Sequence, residues 1–394
     1  MLPTVSGIPL HLNSSYYDTG NDSLDALSAD RRLGMNVSAN KSENATVDLY
    51  MLPAYIRTTS MIVCIVVMVL GIIGNLMVPL VVFRGKDMRN STNIFLVNLS
   101  LADLCVLLVC TPTVLVEVNS GPEIWPLGEH MCKAVPFVEL TVAHASVLTI
   151  LAISFERYYA ICEPLRVGYM CTKTRAMFLC VAAWVAAALC TSPIIWVSQY
   201  QEIRLRSNGS EGSKQDSKNL VPVCLTMADA NVTVIFFLLL VLLFYLAPLL
   251  ILIVLYAYIV KRLMPDRRRR SNNAADSYHA RAKRHVIAML LSVVIGFFLC
   301  LTPYRILIFY IVIAPAENIA AIDRDTFFGL LNFSRIMFYL HSAIDPILYN
   351  LMSSKFRRGF VGLCKTRRWD DRGVTIRTTT TKRSNTSEQE ENFV

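Results

Sequence analysis

The amino-acid sequence predicts an all-α membrane protein, a bundle of seven transmembrane helices followed by a short amphipathic eighth helix. Of its 394 residues, 54% are hydrophobic and only 17% are charged, whereas soluble domains carry about 25% charged residues. Seven long apolar segments recur along the chain, and each exceeds the roughly 20 residues that a helix needs to cross about 30 Å of hydrocarbon. Helices are required because no water inside a bilayer satisfies open backbone groups. We place the segments at residues 56–83, 93–118, 131–161, 176–197, 232–259, 286–313 and 326–351.

The basic residues predict how the chain is oriented in a plasma membrane. Arg84, Lys86 and Arg89 follow the first segment, whereas only Arg57 lies close before it. Because Lys and Arg concentrate in cytoplasmic loops, the N-terminus is expected outside the cell and, after seven crossings, the C-terminus inside. The formal net charge of +9 then favours contact with anionic membrane lipid. No nucleic-acid-binding motif accompanies the charge, so no nucleic-acid partner is predicted.

Residues 1–55 form a polar tail that holds several Asn-x-Ser/Thr acceptors for N-linked sugars. Five such sites in one tail favour a glycosylated extracellular segment, and the alternative is an unmodified tail rich in Ser and Asn. A sixth acceptor lies in the predicted second extracellular loop, which agrees with the orientation inferred from the basic residues. The six acceptors are Asn13, Asn21, Asn36, Asn40, Asn44 and Asn208.

The bundle is expected to end near residue 352. Residues 353–364 then predict a basic amphipathic helix on the inner leaflet, with Phe356 and Val361 on its apolar side. Cys364, at the end of that helix, is a candidate for palmitoylation, and the alternative is an unmodified thiol. Residues 365–394 are polar and are expected to form a disordered cytoplasmic tail.

Several polar or conformationally special residues lie inside the apolar segments, where charged groups are costly and usually functional. They are Asn75, Asp103, Glu156-Arg157-Tyr158, Trp184, Pro248, Tyr256, Phe297, Cys300, Pro303 and Asp345-Pro346-Ile347-Leu348-Tyr349. In this order and on these segments, the set resembles the rhodopsin-like (class A) family of G-protein-coupled receptors. The resemblance covers about residues 56–364. It implies a receptor, not an enzyme, that couples to a heterotrimeric G protein and also meets arrestin and receptor kinases.

Three stretches narrow the resemblance to a branch of peptide receptors. Residues 87–96, residues 132–139 and the run Pro303-Tyr304-Arg305 resemble receptors for thyrotropin-releasing hormone, ghrelin and neuromedin-type peptides, and within that branch the insect receptors for ecdysis-triggering hormone. This implies an amidated peptide hormone that ends in Pro-Arg-X-amide, and signalling through a Gq-type protein and calcium release. An amine or other small-molecule receptor is the alternative, although such receptors usually carry Asp where Glu139 stands. A transporter is more remote, because internal repeats are not found.

The cytoplasmic ends of the spans predict a two-state switch. Glu156 and Arg157 can satisfy each other at rest, and Arg157 can face a partner after the bundle opens, with Tyr256 and Tyr349 as neighbours. The alternative is that Arg157 only anchors its helix at the membrane surface. The full set of switch residues that the resemblance implies is Glu156, Arg157, Tyr158, Tyr256, Phe297, Pro303, Asp345, Pro346 and Tyr349.

The sixth span departs from the family pattern. It reads Cys300-Leu301-Thr302-Pro303, where the family usually has Trp in the position of Leu301. Pro303 still removes a backbone hydrogen bond and keeps the kink. Activation is therefore expected to rely on Phe297 and on rearrangement around the kink.

Two aspartates are expected to meet in the middle of the membrane, where both cannot stay charged cheaply. The family resemblance implies a sodium ion there as an allosteric modulator, and the alternative is a proton shared by the two carboxylates. The implied ligands are Asp103, Ser146, Ser342 and Asp345. Asp345 stands where the family usually has Asn. His144 and His341 are interpreted as packed, hydrogen-bonded residues, because no third metal ligand is evident in the sequence.

By the same resemblance, Cys132 at the outer end of the third span and Cys224 in the second extracellular loop are expected to form a disulfide. Both would lie in an oxidising compartment, and the bond would hold the loop over the mouth of the bundle. The alternative is two free thiols.

Acidic and basic residues in the outer third of the bundle must pair with each other or meet a ligand. The predicted ligand-binding residues are Glu117, Glu139, Tyr304, Arg305, Asn332 and Arg335. Glu139 is expected to bind the arginine of the peptide. The resemblance to receptors for thyrotropin-releasing hormone implies that Arg305, Arg335 and Tyr304 hydrogen-bond the backbone or amide of the peptide. The alternative is an internal salt bridge between Glu139 and one of the two arginines.

Overall fold

The computed structural model describes residues 52–85, 88–120, 124–204, 220–226, 231–263, 274–314, 318–319, 321–352 and 354–364. For residues 203–204, 220, 263, 274–286, 324, 352, 354–355 and 363–364 it describes the backbone only. All six predicted glycosylation sites and the predicted cytoplasmic tail lie outside the described residues. The side chain of Cys364 does too.

Seven long helices form the bundle, as the hydropathy of the sequence predicts. Six of the described helices are long and apolar enough to cross a membrane. The seventh has 29 residues and is more polar, because Arg335, His341 and Asp345 lie along it. The bounds are α1 Ala54–Arg84, α2 Ser91–Ser120, α3 Gly128–Cys162, α4 Lys173–Val197, α5 Asn231–Arg262, α6 Ala274–Ile313 and α7 Arg324–Met352.

α6 differs most from its predicted bounds, since it begins at Ala274 rather than near residue 286. Hydropathy marks only the part of a helix that is apolar, so it cannot report a polar helical turn that continues beyond the membrane. The other long helices begin and end within a few residues of the predicted positions.

Two of the spans contain a π-helical turn, which the sequence analysis did not predict. The turn at Val106–Cys110 lies in α2 and the turn at Leu242–Leu246 lies in α5. Each is followed two residues later by a proline, Pro112 or Pro248. Proline has no backbone N–H and its ring crowds the preceding turn, so a locally widened helix accommodates both prolines without ending the span.

Of the six apolar spans, α2 and α3 are the most enclosed, whereas fewer than a third of the residues in the apolar stretches of α1 and α4 are buried, as in lipid-facing helices. Partly buried hydrogen bonds connect α4, α2 and α3. Trp184 of α4 donates to Asn98 of α2, which in turn donates to Thr149 of α3. At Gly74 the backbone of α1 comes so close to α7 that an added Cβ atom would lie 2.6 Å from Pro346. A glycine is therefore required where α1 crosses α7.

An antiparallel hairpin covers one end of the bundle, which we call the hairpin end. Its strands are β1 Ser198–Arg204 and β2 Leu220–Thr226. Cys224 of β2 forms the expected disulfide with Cys132 of α3, with their Cα atoms 5.6 Å apart. The prediction of this bond is confirmed. The hairpin therefore cannot leave the first turns of α3.

The predicted eighth helix is present as α8, at Ser354–Cys364. Phe356 is buried, and its ring centroid lies 6.1 Å from that of Tyr349 in α7. Gly359 lies against Val81 of α1. Val361 is 45% exposed, so it faces away from the bundle. The apolar residues of α8 are thus divided between the bundle and its outer surface.

Candidate functional site

Charged residues from three helices gather near the hairpin end, and all of them are buried except Glu117, whose side chain is 20% exposed. Arg335 of α7 forms an ion pair with Glu117 of α2, with Nη1 and Oε2 3.1 Å apart. Glu139 of α3 is also buried and accepts a hydrogen bond of 3.3 Å from the hydroxyl of Tyr339. Glu117 was predicted to be a ligand-binding residue, but its pairing with Arg335 was not predicted. Asn332 is buried one turn before Arg335 in α7.

Arg305 of α6 belongs to the same region but has a different partner. Its Nη2 atom lies 3.3 Å from Nε2 of His144, and Nδ1 of His144 lies 3.0 Å from Oγ1 of Thr191 in α4. An arginine can only donate, so Nε2 of His144 accepts and Nδ1 carries the proton. The imidazole is therefore neutral and stacks on Phe244, with the ring centroids 4.1 Å apart. His144 is packed and hydrogen-bonded, as the sequence analysis expects, and it also orients Arg305.

A pocket beside this cluster lies between α3, α4, α5, α6 and the hairpin. Glu139 and Tyr304 are among its few polar residues, and most of the remaining surface is apolar. The lining residues are Pro136, Glu139, Leu140, Ile194, Thr226, Phe237, Tyr304 and Ile308. The Nε atoms of Arg305 and Arg335 have no hydrogen-bond partner among the described residues. A molecule bound in the pocket would meet the polar groups of Glu139 and Tyr304 and an apolar wall, with the two arginines outside the lining.

The residues predicted to hold a sodium ion gather halfway along the bundle. Asp103, Ser146 and Ser342 line one cavity, and Asp345 accepts a hydrogen bond of 3.2 Å from the hydroxyl of Tyr349. Asn75 of α1 donates to the backbone carbonyl of Ser342 at 2.6 Å. The structure therefore brings together the residues that the family pattern names.

His341 also lies in this cavity, although it was not among the predicted sodium ligands. Nδ1 of His341 is 3.7 Å from Oδ1 of Asp103, and Nε2 is 3.7 Å from Oδ2 of Asp345. Two carboxylates that could complete a metal-binding set therefore lie beside His341, which was not evident in the sequence. His341 is also hydrogen-bonded, as expected, since its Nδ1 lies 3.5 Å from Oγ of Ser342. One feature of the sequence could have indicated that His341 belongs to this site. His341 and Asp345 are four residues apart and therefore share a helix face.

Phe297 connects this cavity to α6. Its ring meets the ring of His341 edge to face, with the centroids 4.8 Å apart. Pro303 lies within α6, as expected. Next to it, Thr302 donates to the carbonyl of Phe298 at 2.5 Å and lies 2.7 Å from the hydroxyl of Tyr245. A rearrangement at the kink in α6 would therefore move a ring that contacts the centre of the bundle.

At the end opposite the hairpin, Arg157 is held by a small network. It lies 3.1 Å from Oε1 of Glu156 and donates to Thr92 of α2. Thr92 and Ser91 each donate to the same carboxylate oxygen of Glu156 at 2.7 Å. The ion pair of Glu156 and Arg157 is as predicted, whereas Ser91 and Thr92 were missed. Nothing in the sequence pattern of α3 indicates which residues of α2 face it.

The other switch residues have separate partners in this packing. The hydroxyl of Tyr256 lies 3.3 Å from Oγ of Ser154, and Tyr349 donates to Asp345. Tyr158 packs edge to face with Tyr159. The two tyrosines expected beside Arg157 after opening are therefore engaged elsewhere while Arg157 is paired with Glu156.

Comparisons with known proteins agree with this architecture. Residues 74–349 match the family described as 7 transmembrane receptor (rhodopsin family). The growth hormone secretagogue receptor type 1 of Oryctolagus cuniculus is 33% identical over 328 residues, which is 82% of this chain and 86% of that one. The thyrotropin-releasing hormone receptor of Bos taurus is 29% identical over 328 residues, 78% of each chain. The QRFP-like peptide receptor of Branchiostoma floridae is 32% identical over 173 residues, 42% of this chain and 45% of that one.

The family match and these relatives confirm the predicted resemblance to the branch of rhodopsin-like receptors that includes the thyrotropin-releasing hormone receptor. Members of the family are receptors, so the prediction that the chain is not an enzyme is also confirmed. The matched region runs from α1 to the end of α7 and contains all three clusters described above. The chain is a multi-pass membrane protein and belongs to the rhodopsin family of seven-transmembrane receptors.

Proposed function

We propose that this chain is a receptor for an amidated peptide hormone whose C-terminal sequence is Pro-Arg-X-amide, of the ecdysis-triggering hormone type. It would lie in the plasma membrane with the hairpin end outside. The relatives named for secretagogue, thyrotropin-releasing hormone and QRFP-like peptides support a peptide ligand. The observation that carries the proposal is the buried cluster of acidic and basic residues next to an apolar pocket under the hairpin.

The charges of the cluster support a ligand with a neutral end. Glu117 and Glu139 supply two negative charges, and Arg305 and Arg335 supply two positive charges, so the cluster is balanced. A free carboxylate would bring an uncompensated charge into a buried site, which is costly. A carboxamide brings a carbonyl that accepts hydrogen bonds from Arg305 or Arg335 without that charge. Glu139, on the pocket wall, would bind the arginine side chain of the peptide.

At the opposite end, the network around Arg157 supports coupling to a heterotrimeric G protein, which we expect to be of the Gq type and to release calcium. Opening of that end would free Arg157 from Glu156 and Thr92 and expose it to the partner. Arrestin and receptor kinases would use the same end and the predicted cytoplasmic tail. Inner-leaflet lipid would contact α8, and palmitoylation of Cys364 would add a second anchor. Sugars on the N-terminal tail would mark the outer side.

The experiment is a ligand screen of the full-length chain in calcium-reporting cells. Three matched peptides are compared: one ending in Pro-Arg-X-amide, the same peptide with a free carboxylate, and an amidated version with citrulline in place of arginine. We expect the first to act at the lowest concentration, because only it satisfies both Glu139 and the arginines. A panel of biogenic amines tests the alternative ligand class. A response to amines and to none of the peptides would refute the proposal.

A further inference from the structure

The two buried aspartates at the centre of the bundle have an imidazole between them. His341 precedes Asp345 by one turn of α7, so both side chains lie on one face of the helix. Asp103 faces them from α2. One possible ligand atom from each of these three residues lies within 4.8 Å of the other two. Two ligands of one metal ion, each bound at about 2.0–2.2 Å, lie at most about 4.4 Å apart, so binding would draw these side chains slightly closer together.

Two atoms of this group lack a hydrogen-bond partner among the residues that the structure describes. They are Oδ2 of Asp103 and Nε2 of His341. Asp103 is only 2% exposed. A buried polar atom without a partner destabilises the fold, and native structures rarely keep one without a reason. Both residues line the same cavity, so the unpartnered atoms indicate that a ligand binds there.

The donor atoms do not suit the sodium ion that the family resemblance implies. Hard cations are bound by oxygen atoms, whereas imidazole nitrogen is a ligand for zinc, copper, nickel and iron. His341 faces the two carboxylates with different nitrogens, Nδ1 towards Asp103 and Nε2 towards Asp345, each at 3.7 Å, and one of these nitrogens would bind the ion. In addition, a metal ion binds carboxylates in their deprotonated form, so two carboxylate ligands carry two negative charges, of which a monovalent ion balances only one. In a buried site the remaining charge is costly, and a divalent ion removes that cost.

We propose that Asp103, His341 and Asp345 bind a divalent transition-metal ion, with zinc as the probe of choice, and that the ion joins α2 to α7. Three protein ligands leave a fourth position for water, as in open zinc sites. By fastening α7 to α2, the ion stabilises the packing observed here, in which Arg157 is paired with Glu156. It therefore acts as an allosteric modulator that opposes opening. The site does not depend on the identity of the peptide ligand.

The test uses the full-length receptor in lipid nanodiscs after treatment with a chelator. Zinc chloride is titrated while the midpoint of thermal unfolding is followed by tryptophan fluorescence. In parallel, sodium chloride replaces choline chloride at constant ionic strength. We expect zinc to raise the midpoint in a saturable manner and sodium to leave it unchanged. Cobalt(II) is a second probe, because its visible absorption reports coordination by nitrogen and oxygen ligands directly.

Two variants locate the effect. His341→Asn keeps a polar side chain but removes the nitrogen ligand, and Asp345→Asn introduces the residue that the family usually has. We expect each variant to weaken zinc binding by more than about tenfold and to abolish the cobalt absorption bands. The unfolding midpoint of each metal-free variant shows whether the variant is folded. His130→Asn, at an exposed histidine of α3, is the matched control and should bind zinc like the wild type.

Two results would overturn the proposal. One is a wild-type receptor that sodium stabilises and zinc does not. The other is zinc stabilisation and cobalt absorption that persist unchanged in His341→Asn. Because the measurements use metal ions and purified receptor alone, they are informative even if the peptide screen fails.

Discussion

At the scale of single residues, the proposed ligand site depends on charged side chains at the hairpin end. Arg335 is 3% exposed at its side chain and is paired with Glu117, and His144 holds Arg305. Two positive groups are thus oriented before any ligand arrives, which lowers the entropy that binding must overcome. Glu139 lies on the pocket wall and is the acidic residue best placed for a cationic group of the ligand.

Replacing Glu139 by Gln keeps the size of the side chain and removes its charge. We expect Glu139→Gln to lower peptide potency at least about tenfold, which corresponds to a loss of roughly 1.4 kcal/mol. Calcium-release dose curves at equal surface expression measure this. The matched control is Glu129→Gln, a carboxylate on the same helix that is exposed and paired with Lys133 at 2.5 Å, and it should leave potency unchanged. Equal curves for the two variants would remove Glu139 from the ligand site.

At the scale of elements, two helices pack together only where their backbones can approach each other closely. The backbone of α8 meets α1 at Gly359, where an added Cβ atom would lie 2.5 Å from Cγ1 of Val81. Gly362, less than one turn later, has nothing within 4 Å of such an atom. Of these two glycines in the same helix, only Gly359 contacts α1. A comparison of the two positions therefore tests the contact with Val81 separately from the effect of alanine on the helix itself.

We expect Gly359→Ala to loosen α8 from the bundle and Gly362→Ala to stabilise it. Alanine favours a helix over glycine by roughly 0.5–1 kcal/mol at either position, so the difference between the variants reports the clash with Val81. The measurement is the rate of trypsin cleavage within α8, at Arg357 and Arg358, in the otherwise intact receptor. Cleavage should be faster than wild type in Gly359→Ala and slower in Gly362→Ala. Equal rates would mean that α8 does not dock on α1 as described.

At the scale of the whole molecule, the central one of the three polar clusters is connected through aromatic contacts to the end of the bundle opposite the hairpin. Phe297 contacts His341, and Asp345 is bonded to Tyr349, whose ring is close to Phe356 of α8. The packing that fills the centre is therefore linked to the end that holds Arg157. In the proposed switch between two packings, groups at this end exchange partners, and we expect the network around Glu156 to break.

Thr92→Val removes two hydrogen bonds of that network with little change in side-chain shape. Hydrogen bonds to charged groups contribute about 1.5–3 kcal/mol each, so we expect the fraction of open receptor without ligand to rise about tenfold or more. Nucleotide exchange on a G protein in reconstituted vesicles measures this basal activity. Ser91→Ala, which removes only the bond to Glu156, should give a smaller rise. Basal exchange that stays at the wild-type level in Thr92→Val would show that the network does not restrain opening.

The sequence by itself determined the seven spans, the disulfide between Cys132 and Cys224, and membership of the receptor family. Each follows from a property that is local along the chain: a run of apolar residues long enough to cross the bilayer, or a motif at a recognisable place within that run. The composition of the spans also located the buried charges, because ionisable residues are rare there and stand out.

Only the tertiary structure decided which of those charges meet. That Glu117 pairs with Arg335, that Thr92 restrains Arg157, and that His341 lies between two aspartates all depend on the rotation of each helix about its axis. Hydropathy is insensitive to that rotation, since a transmembrane helix is apolar on nearly every side. Rotation is fixed instead by close packing between neighbouring helices, at contacts such as that of Gly74 with Pro346.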